Sequence, residues 1–221
     1  MKTKLLFILS FISIYSFGQN INFPDANFKS KLVNQYNPTI DTNQDDEISV
    51  AEATAFTGRL KIEGTFSSRI SDLTGIEYFV NATEIRASNN EIATVDLSSN
   101  VSLIDVDFYS NDLVSIDFSN NTALEIINVS SNNLTALDVS NNVNLRVLGC
   151  TNMQMTSLNV TGCTLLEELS CAINQFTSID LSTNTALKTY FGHSIPLTSI
   201  DLSNNLLLET LNCSSNAFST L

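Results

Sequence analysis

From about residue 60 onward, apolar residues stand two apart in short runs, and the runs recur every 21 residues. IATVDLSSN (92–100), LVSIDFSNN (113–121), LTALDVSNN (134–142), MTSLNVTGC (155–163), FTSIDLSTN (176–184) and LTSIDLSNN (197–205) follow one another at that interval, and a seventh copy starts at 218–221. Between them lie LEIINVSSN (124–132), LRVLGCTNM (145–153), LEELSCAIN (166–174) and LETLNCSSN (208–216). A two-residue spacing such as Ile127 and Val129, or Ile179 and Leu181, is that of a strand with one buried face. No segment leaves room for a ten-residue helix, and the intervening Ser, Thr and Asn favour turns. Each unit therefore predicts one coil with two short strands and two turns, and stacking the coils predicts parallel ladders around a continuous Leu/Ile/Val column.

The polar positions repeat as strictly. Asn90, Asn111, Asn132, Asn174 and Asn216 follow the first strand, where an inward amide would satisfy backbone groups of adjacent coils; Met153 and Ile195 replace it in two copies and predict less regular turns. Asp96, Asp117, Asp138, Asp180 and Asp201 form a second ladder, interrupted by Asn159. Carboxylates stacked about 5 Å apart repel by about 1 kcal/mol in water. The first reading of this ladder is a bond from each Asp to the backbone N–H two residues on; the alternative is cation binding along it. Cys150, Cys171 and Cys213 fill the position held elsewhere by Ala87, Phe108, Val129 and Gly192, which marks a core site. Cys163 replaces the Asn of the second turn. Buried free thiols are the first expectation for all four, and bridges between stacked coils the alternative.

This pattern resembles bacterial leucine-rich repeat proteins of the short 21-residue class, over about Leu60 to Leu221. ISDLTGIEYFVNATEIRASNNEI (70–92) is similar to the degenerate first repeat of internalin-type surface proteins, where such a segment joins an N-terminal cap to the array. The resemblance implies a leucine-rich repeat solenoid, mainly parallel β, with a small helical EF-hand-like cap. Because the last copy stops at Leu221, a longer chain with further repeats is expected.

Residues 1–19, MKTKLLFILSFISIYSFGQ, have the plan of a secretory signal peptide: Lys2 and Lys4, an apolar run to about Tyr15, then a small-residue site. That run is too short to span a bilayer comfortably. Residues 20–59 form the expected cap and 60–221 the repeats. Within the cap, DTNQDDEISVAE (41–52) fits a twelve-residue calcium loop with Asp41, Asn43 and Asp45 at positions 1, 3 and 5, Glu47 at 7, Ser49 at 9 and Glu52 at 12. The departure is Asp46 at the sixth position, where a left-handed backbone normally calls for Gly. A helix before the loop, with Phe28, Leu32 and Val33 on its apolar face, and one after it over Val50 to Phe56 complete the unit. Calcium is the cofactor expected; a merely solvated turn is the alternative. Phe23, Phe28, Leu32 and Phe56 are the candidate contacts that cover the first coil.

Charge narrows the partners. The formal net charge is −13; without Lys2 and Lys4, eight basic residues face 23 acidic ones, giving −15. Such a surface disfavours nucleic acid and anionic membrane. His193 is the single His, and no Gly-rich phosphate loop or zinc spacing occurs, so no catalysis is expected in this region. What remains is the outward face of the first-strand ladder, mostly small residues, with Asp105, Asp107, Tyr109, Phe191 and His193 as candidate ligand contacts. The expectation is a secreted or cell-surface scaffold that binds protein. Its alternative is a polysaccharide-binding or accessory module of a larger extracellular enzyme.

Overall fold

The computed structural model describes residues 18–35 and 38–219; residues 1–17 of the expected leader and the last two residues lie outside the described residues. Its elements in chain order are α1 (Ala26–Val33), α2 (Val50–Ala55), β1 (Arg59–Lys61), a 3-10 turn (Ile76–Tyr78), β2 (Glu84–Arg86), β3 (Asp105–Asp107), β4 (Ile126–Asn128), β5 (Ala136–Asp138), β6 (Val147–Gly149), β7 (Ser157–Asn159), β8 (Glu168–Ser170), β9 (Thr189–Phe191) and β10 (Thr210–Asn212). Eight strands make one parallel sheet in the order β1-β2-β3-β4-β6-β8-β9-β10. The chain is thus a leucine-rich repeat solenoid with a small helical cap.

Register follows the sequence period. Ile85, Val106, Ile127, Leu148, Leu169 and Tyr190 pair successively at 21-residue steps. The first step is longer, Leu60 pairing with Ile85, and most of the extra residues fall in a turn closed by the Thr65–Ser68 bridge. Gly64 begins that turn because a Cβ there would sit 1.8 Å from the Asn89 carbonyl oxygen. The paired residues point inward and are buried, together with Ala87, Phe108, Val129, Cys150 and Cys171 two positions on. Each buried aliphatic side chain contributes about 1.5–3 kcal/mol. One coil departs from this plan as a unit: Tyr190 replaces the usual aliphatic residue, and its ring takes the space of the missing side chain at Gly192, where a Cβ would lie 2.1 Å from the tyrosine oxygen.

Two asparagine ladders hold the turns. At the first, Asn111 Nδ2 donates to the Ala87 and Phe108 carbonyls at 2.9 and 3.0 Å, and its Oδ1 accepts the Ile92 N–H at 3.1 Å. Asn90, Asn132, Asn174 and Asn216 repeat this arrangement. At the second, Asn121 Nδ2 donates to the Leu97 and Asn100 carbonyls at 3.0 and 2.9 Å. Here the buried Oδ1 atoms of Asn100, Asn121, Asn142, Asn184 and Asn205 have no protein partner. Cys163 stands in this line and keeps the donor function, its Sγ lying 3.2 Å from the Val139 carbonyl oxygen.

The second segment of each coil is less strand-like than two strands per coil implies. Among the described residues only β5 and β7 pair there. Their register sets Asp138 beside Asn159, so no second carboxylate opposes the first across this pair, and the Ser140 N–H and hydroxyl, with a smaller part from the Asn159 amide, hold the Asp138 carboxyl below the ordinary value.

The cap covers the edge of β1 with one side chain. Buried Gln35 accepts the Lys61 N–H on Oε1 at 2.8 Å and donates from Nε2 to the Arg59 carbonyl at 2.9 Å, occupying the position of an absent neighbouring strand. Asp25 caps α1 by accepting the Asn27 and Phe28 N–H groups on Oδ1, and it accepts the Ser71 N–H on Oδ2 at 2.8 Å, tying helix to coil. The expected contacts Phe23, Phe28, Leu32 and Phe56 are all buried, with edge-on rings between Phe23 and Phe28 and between Phe56 and Phe79.

Candidate binding face and acidic loop

Alternation in β1, β2, β3, β4, β6, β8 and β9 turns the residues flanking each buried centre outward, and the parallel register aligns them in columns. Asp105 and Asp107 flank Val106 on β3, and Tyr109 follows at 43% exposure. Phe191 ends β9 at 38% exposure and His193 follows, half-buried, its Nδ1 3.2 Å from Ser194 Oγ. Four ladder steps of about 4.8 Å separate β3 from β9, so the two groups stand roughly 19 Å apart along the stack. The five residues therefore form two patches on one face. Between them run Asn128, Ser130, Gly149, Thr151, Ser170 and Ala172, a floor of mostly small side chains, beside a column of Ile126, Val147 and Glu168 in which Ile126 and Glu168 are exposed.

Electrostatics separate the two aspartates. Asp105 is paired with Arg86, whose Nη1 donates to Oδ1 at 2.6 Å and whose Nη2 also contacts the carboxylate. This bond, opposed by burial, raises the already high Arg86 pKa. Arg86 further reaches Glu84 at 3.3 Å, and Glu84 pairs with Arg59 at 2.5 Å. Asp105 is thus part of a neutralised network, whereas Asp107 accepts only the Tyr109 N–H and the Asn128 Nδ2, at 3.0 and 3.1 Å. On the flank, Glu167 binds Arg146 at 2.5 Å and Lys188 at 2.6 Å, an ion ladder across three coils. That ladder was readable as Arg146, Glu167 and Lys188 at 21-residue spacing, although the strand pattern draws attention away from it.

The other ladder of aspartates is engaged with backbone. Asp96, Asp117, Asp138, Asp180 and Asp201 accept the N–H of the serine two residues on, at 2.8–2.9 Å, and Asn159 accepts that of Thr161 at 3.1 Å. The hydroxyl and N–H of these serines together hold all five carboxyls below the ordinary value.

The acidic loop closes on itself. Asp46 and Gln44 adopt φ of 60° and 61°, so Asp supplies the left-handed backbone that Gly would. Buried Asp41 accepts the N–H groups of Gln44 and Asp45 on Oδ1 and of Asp46 on Oδ2, at 2.7, 3.3 and 3.1 Å. Asn43 Oδ1 accepts the Asp45 N–H, and Asp45 Oδ1 accepts that of Glu47. Ser49 and Glu52 form the capping box of α2, with Glu52 Oε2 accepting the Ser49 N–H and hydroxyl. Glu52 Oε1 accepts the Thr42 N–H and hydroxyl at 2.8 Å. Burial opposes but does not outweigh these bonds, which lower the Glu52 pKa. Glu47 pairs with Lys29 at 2.5 Å. The backbone thus turns left-handed at Asp46, but the carboxylates face N–H groups instead of one another, and among the described residues no three acidic, His or Cys side chains are grouped to hold a metal.

All four thiols are free, three of them buried and Cys213 half-buried. Burial pushes Cys171 to about 12 and Cys163 to about 11, and raises Cys150 well above its ordinary value. The Tyr190 hydroxyl has no hydrogen bond of ordinary geometry, and burial first, then the Cys171 thiol, raises its pKa strongly.

One surface residue escaped the sequence reading. Ile173 has φ of 55° and is 45% exposed. It occupies the left-handed turn position filled elsewhere by Asn89, Ser110, Ser131, Asn152, Ser194 and Ser215. The signal was an apolar β-branched residue where every other copy has Ser or Asn.

No protein-family model matches the chain, and no curated protein does. Among solved structures it is similar to the functional domain of InlJ from Listeria monocytogenes, which includes a cysteine ladder: 31% identity over 92% of this chain, TM-score 0.68. The chain spans about half of that structure's length, 49%. Internalin C2 of Listeria monocytogenes matches over 90% of this chain and 88% of its own, at 20% identity and TM-score 0.78. The Listeria internalin InlF matches over 95% and 75%, at 19% identity and TM-score 0.55. The fold is that of a bacterial internalin-like leucine-rich repeat array. No helix among the described residues is long and apolar enough to cross a membrane.

Proposed function

We propose that this chain is an exported scaffold that binds protein through the outward face of its eight-stranded sheet, without catalysis in this region. The observation that carries the reading is the register of the ladder, which holds Tyr109 and Phe191 exposed on a fixed frame above a floor of mostly small side chains. Rigid aromatic anchors lose little entropy on contact and dominate protein interfaces. The similarity to internalins supports the same reading by analogy of fold. Export rests on the pattern of residues 1–19; recovery of the chain outside cells, cleaved near residue 19, is the expected outcome, and an intact N-terminus on intracellular protein opposes it.

A library of displayed peptides tested beside a glycan array decides between the protein reading and the polysaccharide alternative. Peptide binding lost on joint replacement of Tyr109, Phe191 and His193 by Ser supports the first. Binding to glycans alone overturns it.

For the acidic loop we propose a weak calcium site. Its backbone has the required turn, but Asp41, Asp45 and Glu52 must give up backbone partners to reach an ion. That exchange places the affinity at the weak end for such loops, a Kd of about 0.1–1 mM. Thermal unfolding in 10 mM calcium should then occur above that in chelator, and E52Q should remove the difference; identical curves for the native chain sink the site.

A further inference from the structure

The chain is committed to the fold from Gln19 onward. The Val50 N–H donates to the Gln19 carbonyl and the Ile21 N–H to the Ile48 carbonyl, both at 2.9 Å, around an antiparallel bridge between Asn20 and Ser49. Ile21 and Phe23 are buried. They press on Gly75, where a Cβ would lie 3.2 Å from Ile21 Cγ2 and 2.5 Å from the Phe23 ring. This short segment therefore clamps the end of the acidic loop and the start of α2. Between buried Ile21 and Gly18 stand Gln19 and Asn20, both exposed.

Two independent features point to the same bond for removal of the leader. Signal peptidases take a small residue at the cut and another two positions before it. Ser16 and Gly18 are the one such pair between the apolar run and Asn20. A cut after Gln19 would discard the carbonyl that holds the Val50 N–H, and a cut after Asn20 would discard the bridge to Ser49 as well. A cut after Gly18 leaves these contacts in place and makes Gln19 the first residue, so that a free α-amine and a side-chain amide meet on one residue.

Resting on the export reading, we propose that the leader is cut after Gly18 and that Gln19 closes to pyroglutamate, so that the mature chain begins with a lactam. The α-amine attacks Cδ of its own side chain: the N–Cδ bond forms, the Cδ–Nε2 bond breaks, and ammonia leaves with one proton from the amine. No oxidant or second reactant is needed, and the two groups are held together by the residue itself. Gln19 is exposed, so no packing on its side chain has to give way. The ring keeps the carbonyl that Val50 uses. It removes the free amine that aminopeptidases require, and so shields a segment whose trimming, residue by residue, would undo the clamp on the acidic loop.

The full chain with its own residues 1–18 is produced in a secreting bacterial host, and the exported protein is analysed by mass spectrometry when fresh and again after overnight incubation at neutral pH. Expected is an N-terminal tryptic peptide spanning 19–29 that is lighter by one ammonia than its sequence requires, in more than half of the incubated chain. Edman degradation should stall on that fraction. Q19A, which keeps the backbone bonds of the segment, should be cut at the same bond, give the 19–29 peptide at full mass, and degrade freely from position 19. Exported chain that starts anywhere but at position 19, or that still carries an open Gln19 in most copies after incubation, overturns the inference and leaves export standing. Chain that stays inside the cell and keeps Met1 overturns the export reading and this inference with it.

Discussion

At the scale of single residues, the ladder positions are settled by where each polar atom finds a partner. The aspartates of the second turn accept serine N–H groups, which favours their charged form. A carboxyl held below its unfolded value of about 3.8 adds stability that is full above that value and is lost as pH falls through the folded one. Protonation also relieves repulsion among the 23 acids, which works the other way, so the profile should be read in about 150 mM salt, where long-range repulsion is screened. Expected is a melting temperature nearly constant from pH 7 to 5 that drops below pH 4. Replacing Asp96, Asp117, Asp180 and Asp201 by Asn should flatten the drop, because Asn159 shows that an amide oxygen accepts the same bond. An unchanged drop would assign acid sensitivity elsewhere. The thiols give a second outcome: iodoacetamide at pH 8 should modify Cys213 first and leave Cys150, Cys163 and Cys171 untouched until denaturant is added, since burial keeps those three protonated. Mass spectrometry of the intact chain reads this directly.

At the scale of elements, the edge of β1 depends on Gln35, which no periodicity announces. Q35A leaves the Lys61 N–H and the Arg59 carbonyl without this partner, at a cost of about 1–3 kcal/mol for each group kept from water. Urea unfolding should show a loss of at least about 2 kcal/mol, and a loss below 0.5 kcal/mol would mean that water replaces the amide. The two-residue alternation made the main ladder legible down to individual pairs, and the helix signals at Asp25 and Ser49 made the cap legible. What escaped was decided between segments distant in the chain. Gln35 meets β1 only after the cap folds over it, and the second strand pairs only where Asp138 meets Asn159. The exposed aromatic residues could be named from spacing, but not their separation into two patches, nor the capture of Asp105 by Arg86.

At the scale of the whole molecule, each coil of the array contacts the coils on either side, so stability is close to a sum of repeating terms. Deletion of residues 126–146 joins Glu125 to Val147 and puts β6 where β4 stood, with Leu148 in the place of Ile127. The shortened chain should fold with its circular dichroism per residue unchanged and melt somewhat lower. Deletion of 126–145 removes one residue fewer and sets Val147 inward with Leu148 outward, which reverses buried and exposed positions. That chain should aggregate or lack a cooperative transition. If both deletions behave alike, register is not what holds the stack.

Tyr190 and Gly192 impose an order on how this coil could have changed. A side chain placed at 192 beside this tyrosine would bring its Cβ to within 2.1 Å of the ring oxygen. Glycine arriving first would have left only a void, which a stacked array tolerates at the cost of a cavity. Substitution at the pair is therefore ordered: space at 192 must be open before the ring can enter, and the tyrosine must leave before any side chain is placed at 192.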